Sequence, residues 1–139
     1  MAEPRTYQFA AVLTGDIIAS RQSPTETLDT ALQALARAAE DIGQDGGAAA
    51  LFTRYRGDGW QVFLPAGEIA LRAALRLIAA LRAADTGLFT RIGIGLGKAH
   101  LPETSDLGAA HGEAFTVAGD VLDGMHRSDR LQLPGLPGA

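Results

Sequence analysis

Apolar and polar positions change period several times along the chain, and each change marks an element. Residues 7–14 (YQFAAVLT) are a nearly continuous apolar run of strand length, which predicts a buried central strand ending at Gly15-Asp16. The period then becomes helical. Leu28, Leu32, Leu35, Ala39 and Ile42 recur on one side, while Glu26, Asp29, Gln33, Arg37 and Glu40 take the other. Ser23 as N-cap, Pro24 at the first helical position and Glu26 three residues after the cap form a capping box, and Gly43 supplies a stop.

Residues 50–56 and 60–64 read as two strands folded over Arg56-Gly57-Asp58-Gly59, with Pro65 closing the second. Gly and Asp are ordinary hairpin residues, so Asp58 has a plain reading as a turn former. A second helix over 68–84 sets Leu71, Leu75, Ile78 and Leu81 on one stripe and is bounded by Gly87. In TRIGIGLGKA, Ile92, Ile94 and Leu96 alternate with Gly93, Gly95 and Gly97, leaving one strand face without side chains. A helix packed closely on the sheet is the expected cause. A last helix covers 113–127. One domain over 1–130 and a flexible Pro/Gly-bearing tail over 131–139 complete the organisation.

The order β-α-β-β-α-β predicts an α+β, ferredoxin-like fold: an antiparallel sheet, helices on one face, and a C-terminal helix added. Right-handed crossovers interleave the two units, so the first strand sits between the third and fourth. The first and second strands then run the same way with the third between them. That topology brings Asp16, at the end of the first strand, to the edge where the hairpin tip carries Asp58. Neighbouring strands lie about 4.8 Å apart, so two carboxylates there repel one another unless they share a divalent cation such as Mg²⁺ or Mn²⁺. Ser20 and Arg21 stand just before the first helix, whose free N–H groups suit phosphate oxygens.

Composition narrows the chemistry. The sequence has 139 residues and no cysteine, which excludes disulfides, thiolate metal sites and thiol catalysis. His100, His111 and His126 do not have the spacing of a metal-binding pair. A formal charge of −4 argues against a general electrostatic grip on nucleic acid. Neither a membrane-length apolar run nor a signal peptide is evident, so the expected location is the cytoplasm.

The same stretches resemble the class III nucleotide cyclase superfamily over most of the chain. TGDIIASR is similar to the cyclase segment bearing the first metal carboxylate. The resemblance implies Asp16 as that ligand, Ile17 as a main-chain carbonyl ligand, and Ile18, Ser20 and Arg21 beside the nucleotide. RYRGDGWQVFL resembles the second metal hairpin, implying Asp58 as the other carboxylate and Arg54 in the place of a base-reading lysine. RIGIGLGKA and HGEAFTVAGDVLDGM resemble the strand and helix that follow. Counted from Gly112, Thr116 and Asp120 occupy the places of a cyclase asparagine and arginine, and an acid where phosphate charge must be neutralised opposes cyclisation. GDIIASR and GDGWQ also resemble hallmarks of the bacterial SatD family.

The leading expectation is a metal-dependent domain that binds a nucleotide or related phosphorylated ligand without efficient cyclase activity, and the cyclase resemblance implies a homodimer. The glycine face and apolar residues of the last helix are its candidate dimer contacts. The alternative is a catalytically inactive regulatory or structural dimerisation module, associated with transcription through a partner. No histidine or glutamate is placed as a general base.

Overall fold

The computed structural model describes residues 4–18, 22–55, 57–102, 107–126 and 128–135. In chain order the elements are β1 (Arg5–Ile18), α1 (Thr25–Gly46), β2 (Leu51–Arg54), β3 (Gly59–Leu64), α2 (Ala70–Ala83), β4 (Phe89–Leu101), α3 (Glu113–Asp123) and β5 (Leu131–Gln132). The sheet order is β2-β3-β1-β4-β5, antiparallel except for the parallel β4–β5 pair. β1 therefore lies between β3 and β4, as the interleaved topology requires. Among the described residues no helix is long and apolar enough to cross a membrane.

Alternation along β1 divides two apolar layers. Ala11, Leu13 and Ile17 join the core beneath α1 and α2, whereas Ala10 and Val12 join the layer formed with α3. β1 does not end at Gly15-Asp16. It continues to Ile18, because Asp16 is paired with Gly59 on one side and Arg91 on the other, and pairing from both sides outweighs the poor strand preference of Gly and Asp.

Helix boundaries also shift. Pro24 holds the N-cap position of α1 in an extended conformation with no side-chain cap bond, one residue beyond the expected capping box. Gly43 lies inside the helix, and a Cβ there would come 2.7 Å from the amide of Ala50, so its role is to let the returning chain cross. The left-handed residue that closes the helix is Gly47, at φ 72°. In α2 the packed side is Ala70, Ala73, Ala74, Leu77 and Leu81; Leu71 and Leu75 are 46% and 54% exposed. Of the expected stripe, Leu81 and the partly buried Ile78 pack on the core while Leu71 and Leu75 turn outward, and small side chains take the crowded position between α1 and the sheet.

α3 covers the side-chain-free face of β4. A Cβ at Gly95 would overlap the main chain of Ala114 and Ala118, and one at Gly93 would lie 2.8 Å from the amide of Leu122. The glycine row is thus a seat for the chain's own helix, which removes it as a dimer contact. The segment expected as a flexible tail begins with β5, whose Leu131 pairs with Ile92.

Gly95→Val should destabilise the fold by about 3 kcal/mol, since α3 must lift from the sheet. Gly119→Ala, inside α3 with nothing within 4 Å of the added methyl, should stabilise it by about 0.5–1 kcal/mol. Denaturant midpoints of the two variants check this, and equal midpoints would contradict the packing described.

Candidate functional site at the end of β1

Where β1 ends, the tip of the β2–β3 hairpin runs beside it. Asp16 is opposite Gly59, and the Ile17 N–H donates to the Asp58 carbonyl at 3.1 Å. The main chain at the two aspartates is therefore joined at one edge of the sheet. The hairpin closes through Gly57, at φ 81°, and a 2.8 Å bond from the Tyr55 N–H to the Gly59 carbonyl. Gly57 carries the left-handed conformation of this turn, leaving Asp58 as a half-buried residue at the tip.

On the α1/α2 side of the sheet, Trp60 lies across β1. Its ring carbons stand 2.5 and 2.6 Å from where a Cβ of Gly15 would be, so only glycine fits beneath it. The buried indole Nε1 donates to Thr90 Oγ1 at 2.9 Å, and Thr90 Oγ1 donates to the Asp16 carbonyl at 2.7 Å. This bridge fixes the main chain of Asp16 from the core side.

The Asp16 side chain emerges on the opposite face and meets Arg91, its partner in β4. Arg91 Nη2 donates to Asp16 Oδ2 at 2.6 Å and Nε to Oδ1 at 3.0 Å, a two-pronged charge-assisted pair. A third bond, from Nη1 to the Met125 carbonyl at 3.3 Å, ties the group to the end of α3. The pKa of Arg91 is raised, first by its hydrogen bond to Asp16; partial burial opposes the rise, while the charges of Asp16, Asp123 and Asp129 reinforce it.

The other expected site residues fall as follows. Ile17 is buried in the core, and Ile18 ends β1 opposite Phe89. Ser20 and Arg21 lie outside the described residues. Arg54 ends β2, and its Nη1 donates to Asp29 Oδ1 of α1 at 2.7 Å, a surface pair about two-fifths exposed at each partner. It pairs with Trp60 and so lies on the α1/α2 side, away from the Asp16 carboxylate. Thr116 and Asp120 are exposed and one turn apart on α3. Among the described residues no group of three or more His, Cys, Asp or Glu side chains converges.

Arg91 is the functional candidate that motif reading missed. Its signal is its position two residues before Gly93, which puts it on the glycine face, where the only cross-strand neighbour of matching charge is Asp16.

No protein-family model matches this sequence, and no curated protein does. Solved structures do. The dimeric guanylyl cyclase domain of the RhoGC fusion protein from the aquatic fungus Blastocladiella emersonii is similar at 20% identity with a TM-score of 0.66, over 89% of this chain and 78% of that one. A bacterial light-regulated adenylyl cyclase is similar at 18% identity with a TM-score of 0.68; 96% of this chain corresponds to 44% of that protein. An adenylate/guanylate cyclase/hydrolase from Silicibacter pomeroyi is similar at 26% identity with a TM-score of 0.61, over 90% of this chain and 73% of that one. The interleaved sheet, its two helical layers and the hairpin beside β1 make up a cyclase-like α+β fold.

Proposed function

We propose that this domain binds a nucleoside triphosphate, or a related phosphorylated ligand, together with one Mg²⁺ or Mn²⁺ ion held by Asp16 and Asp58. The observation that carries the reading is the bond from the Ile17 N–H to the Asp58 carbonyl, which sets both aspartates at one sheet edge. The donor chemistry fits. Two carboxylates and the Ile17 carbonyl are hard oxygen ligands, and phosphate oxygens complete such a shell. When bound, the ion supplies polarisation of phosphoryl oxygens. Ile18, Ser20 and Arg21 follow directly in sequence and are assigned to the phosphate tail. Arg54 serves the ligand only by exchanging Asp29 for it.

Arg91 is the competitor. It occupies both oxygens of Asp16, so a divalent ion must displace it or share the carboxylate at the cost of charge repulsion. That hold favours a second reading, an inert module in which the Asp16–Arg91 pair is a structural tie. The exposed Asp120 on α3 supports poor cyclisation under either reading, because it adds negative charge where phosphate charge would need neutralising. The motifs GDIIASR and GDGWQ support kinship with the SatD family, and assembly as a cytoplasmic homodimer belongs to the same proposal.

Thermal unfolding with Mn²⁺ and ATP or GTP separates the readings. At a hundredfold excess over Kd the stabilisation is about 2.7 kcal/mol, a rise of several degrees, and Asp16→Asn and Asp58→Asn should each abolish it. No shift with any nucleotide supports the inert module. With Mn²⁺ alone, Arg91→Gln should tighten binding about tenfold by removing the competing cation, as measured by calorimetric titration; unchanged or weaker binding contradicts the competition. Prolonged incubation with ATP or GTP should give no appreciable cyclic nucleotide by chromatography, and its accumulation would overturn the inference from Thr116 and Asp120.

A further inference from the structure

His100 and His111, whose spacing in the sequence suggests no pair, meet across an isolated antiparallel bridge. His100 is next to last in β4, and His111 comes just before α3. The His100 N–H donates to the His111 carbonyl at 2.7 Å, and the His111 N–H returns a bond to the His100 carbonyl at 3.0 Å. Residues that exchange both bonds stand directly opposite, so their side chains leave the same face of the two segments. The two imidazoles lie face to face, with centroids 4.9 Å apart and planes inclined by 25°.

The ring of His100 is held from two sides. Its Nδ1 is 3.0 Å from Oγ1 of Thr6, the residue paired with it in β1. Its Cδ2, the atom bonded to Nε2, lies 3.3 Å from where a Cβ of Gly112 would be, so this edge rests against the segment that carries His111. When Nδ1–H donates to Thr6, the lone pair is on Nε2. A hydrogen bond from the second ring nitrogen is the usual support of a metal-binding imidazole. Among the described residues no hydrogen bond engages Nε2 of His100 or either ring nitrogen of His111. His100 is half-buried and His111 exposed, so an ion can reach both.

We propose that His100 and His111 chelate one Zn²⁺, through Nε2 of His100 and one ring nitrogen of His111. With metal–nitrogen bonds of about 2.0–2.1 Å, two imidazoles on one tetrahedral ion have centroids about 5 Å apart, which is the separation already present. Turning the exposed His111 ring aims its lone pair at the ion. Imidazole nitrogens suit zinc, whereas magnesium takes oxygen ligands. Water fills the remaining positions. The ion then clips the end of β4 to the entry of α3. Thr6 and Asp16 are ten residues apart along β1, about 30 Å, so the clip is separate from the site proposed at Asp16 and Asp58.

Proton NMR of the imidazole resonances, recorded on the full chain during titration with Zn²⁺ and then with Mg²⁺, tests the clip. Zn²⁺ should shift His100 and His111 together, saturating at micromolar concentration and one ion per chain, and Mg²⁺ should shift neither. His100→Gln and His111→Gln should each weaken Zn²⁺ binding about tenfold or more, because either change reverts a chelate to a single ligand. His126→Gln, beyond the far end of α3, should leave the affinity unchanged. Thermal unfolding without metal confirms that each variant folds. A shift at one ring only, an endpoint of half an ion per chain, equal weakening by His126→Gln, unchanged affinity in either pair variant, or no saturation overturns the proposal.

Discussion

The indole of Trp60 crosses the central strand at the one residue that has no side chain, and the rest of the site depends on that crossing. With Gly15 beneath it, the buried ring reaches Thr90 in the strand beyond, and Thr90 passes the contact on to the Asp16 carbonyl. A larger residue at position 15 would lift the indole and break the bridge. Gly15 and Asp16 are therefore two halves of one device. The glycine admits a core side chain on one face, and the aspartate presents its carboxylate on the other.

The same economy recurs on β4. Gly93 and Gly95 give up side chains so that α3 can rest on the sheet, and Arg91, next in that alternating row, keeps its side chain and extends it to Asp16. Close helix packing and a charged pair are thus laid along one strand face in register. On the other side of β1 the hairpin tip is held at its main chain by Ile17, which brings Asp58 to the same edge. Gly57 bears the left-handed geometry of the tip, so the backbone strain of the turn does not fall on Asp58.

Much of this was legible in the sequence because it rests on order and period. The β-α-β-β-α-β succession fixed the place of β1, and the glycine row announced a closely packed helix. What was not legible depends on contacts between distant segments. Gly15-Asp16 has the local character of a strand end, but pairing with β3 through Asp16 and with β4 through Ile18 carries the strand on. Gly43 has the character of a helix stop, but the space it leaves is used by Ala50. Leu71 and Leu75 are ordinary core residues by composition, and the rotation of α2 that exposes them is set by the small side chains opposite α1. Arg91 was hidden for the same reason: its partner lies in a strand far away in the sequence. Arg54, assigned by motif, is paired with Asp29 of α1, a contact that no local pattern announces.

The account turns on whether Asp16 and Asp58 accept one ion between them while Arg91 gives way. Crystals grown with Mn²⁺ and a non-hydrolysable nucleoside triphosphate, with anomalous scattering recorded at the manganese edge, address this directly. The account predicts a single manganese peak contacting both carboxylates and phosphate oxygens, with Arg91 turned from Asp16. Nucleotide and manganese bound elsewhere, with the Asp16–Arg91 pair intact, would contradict it.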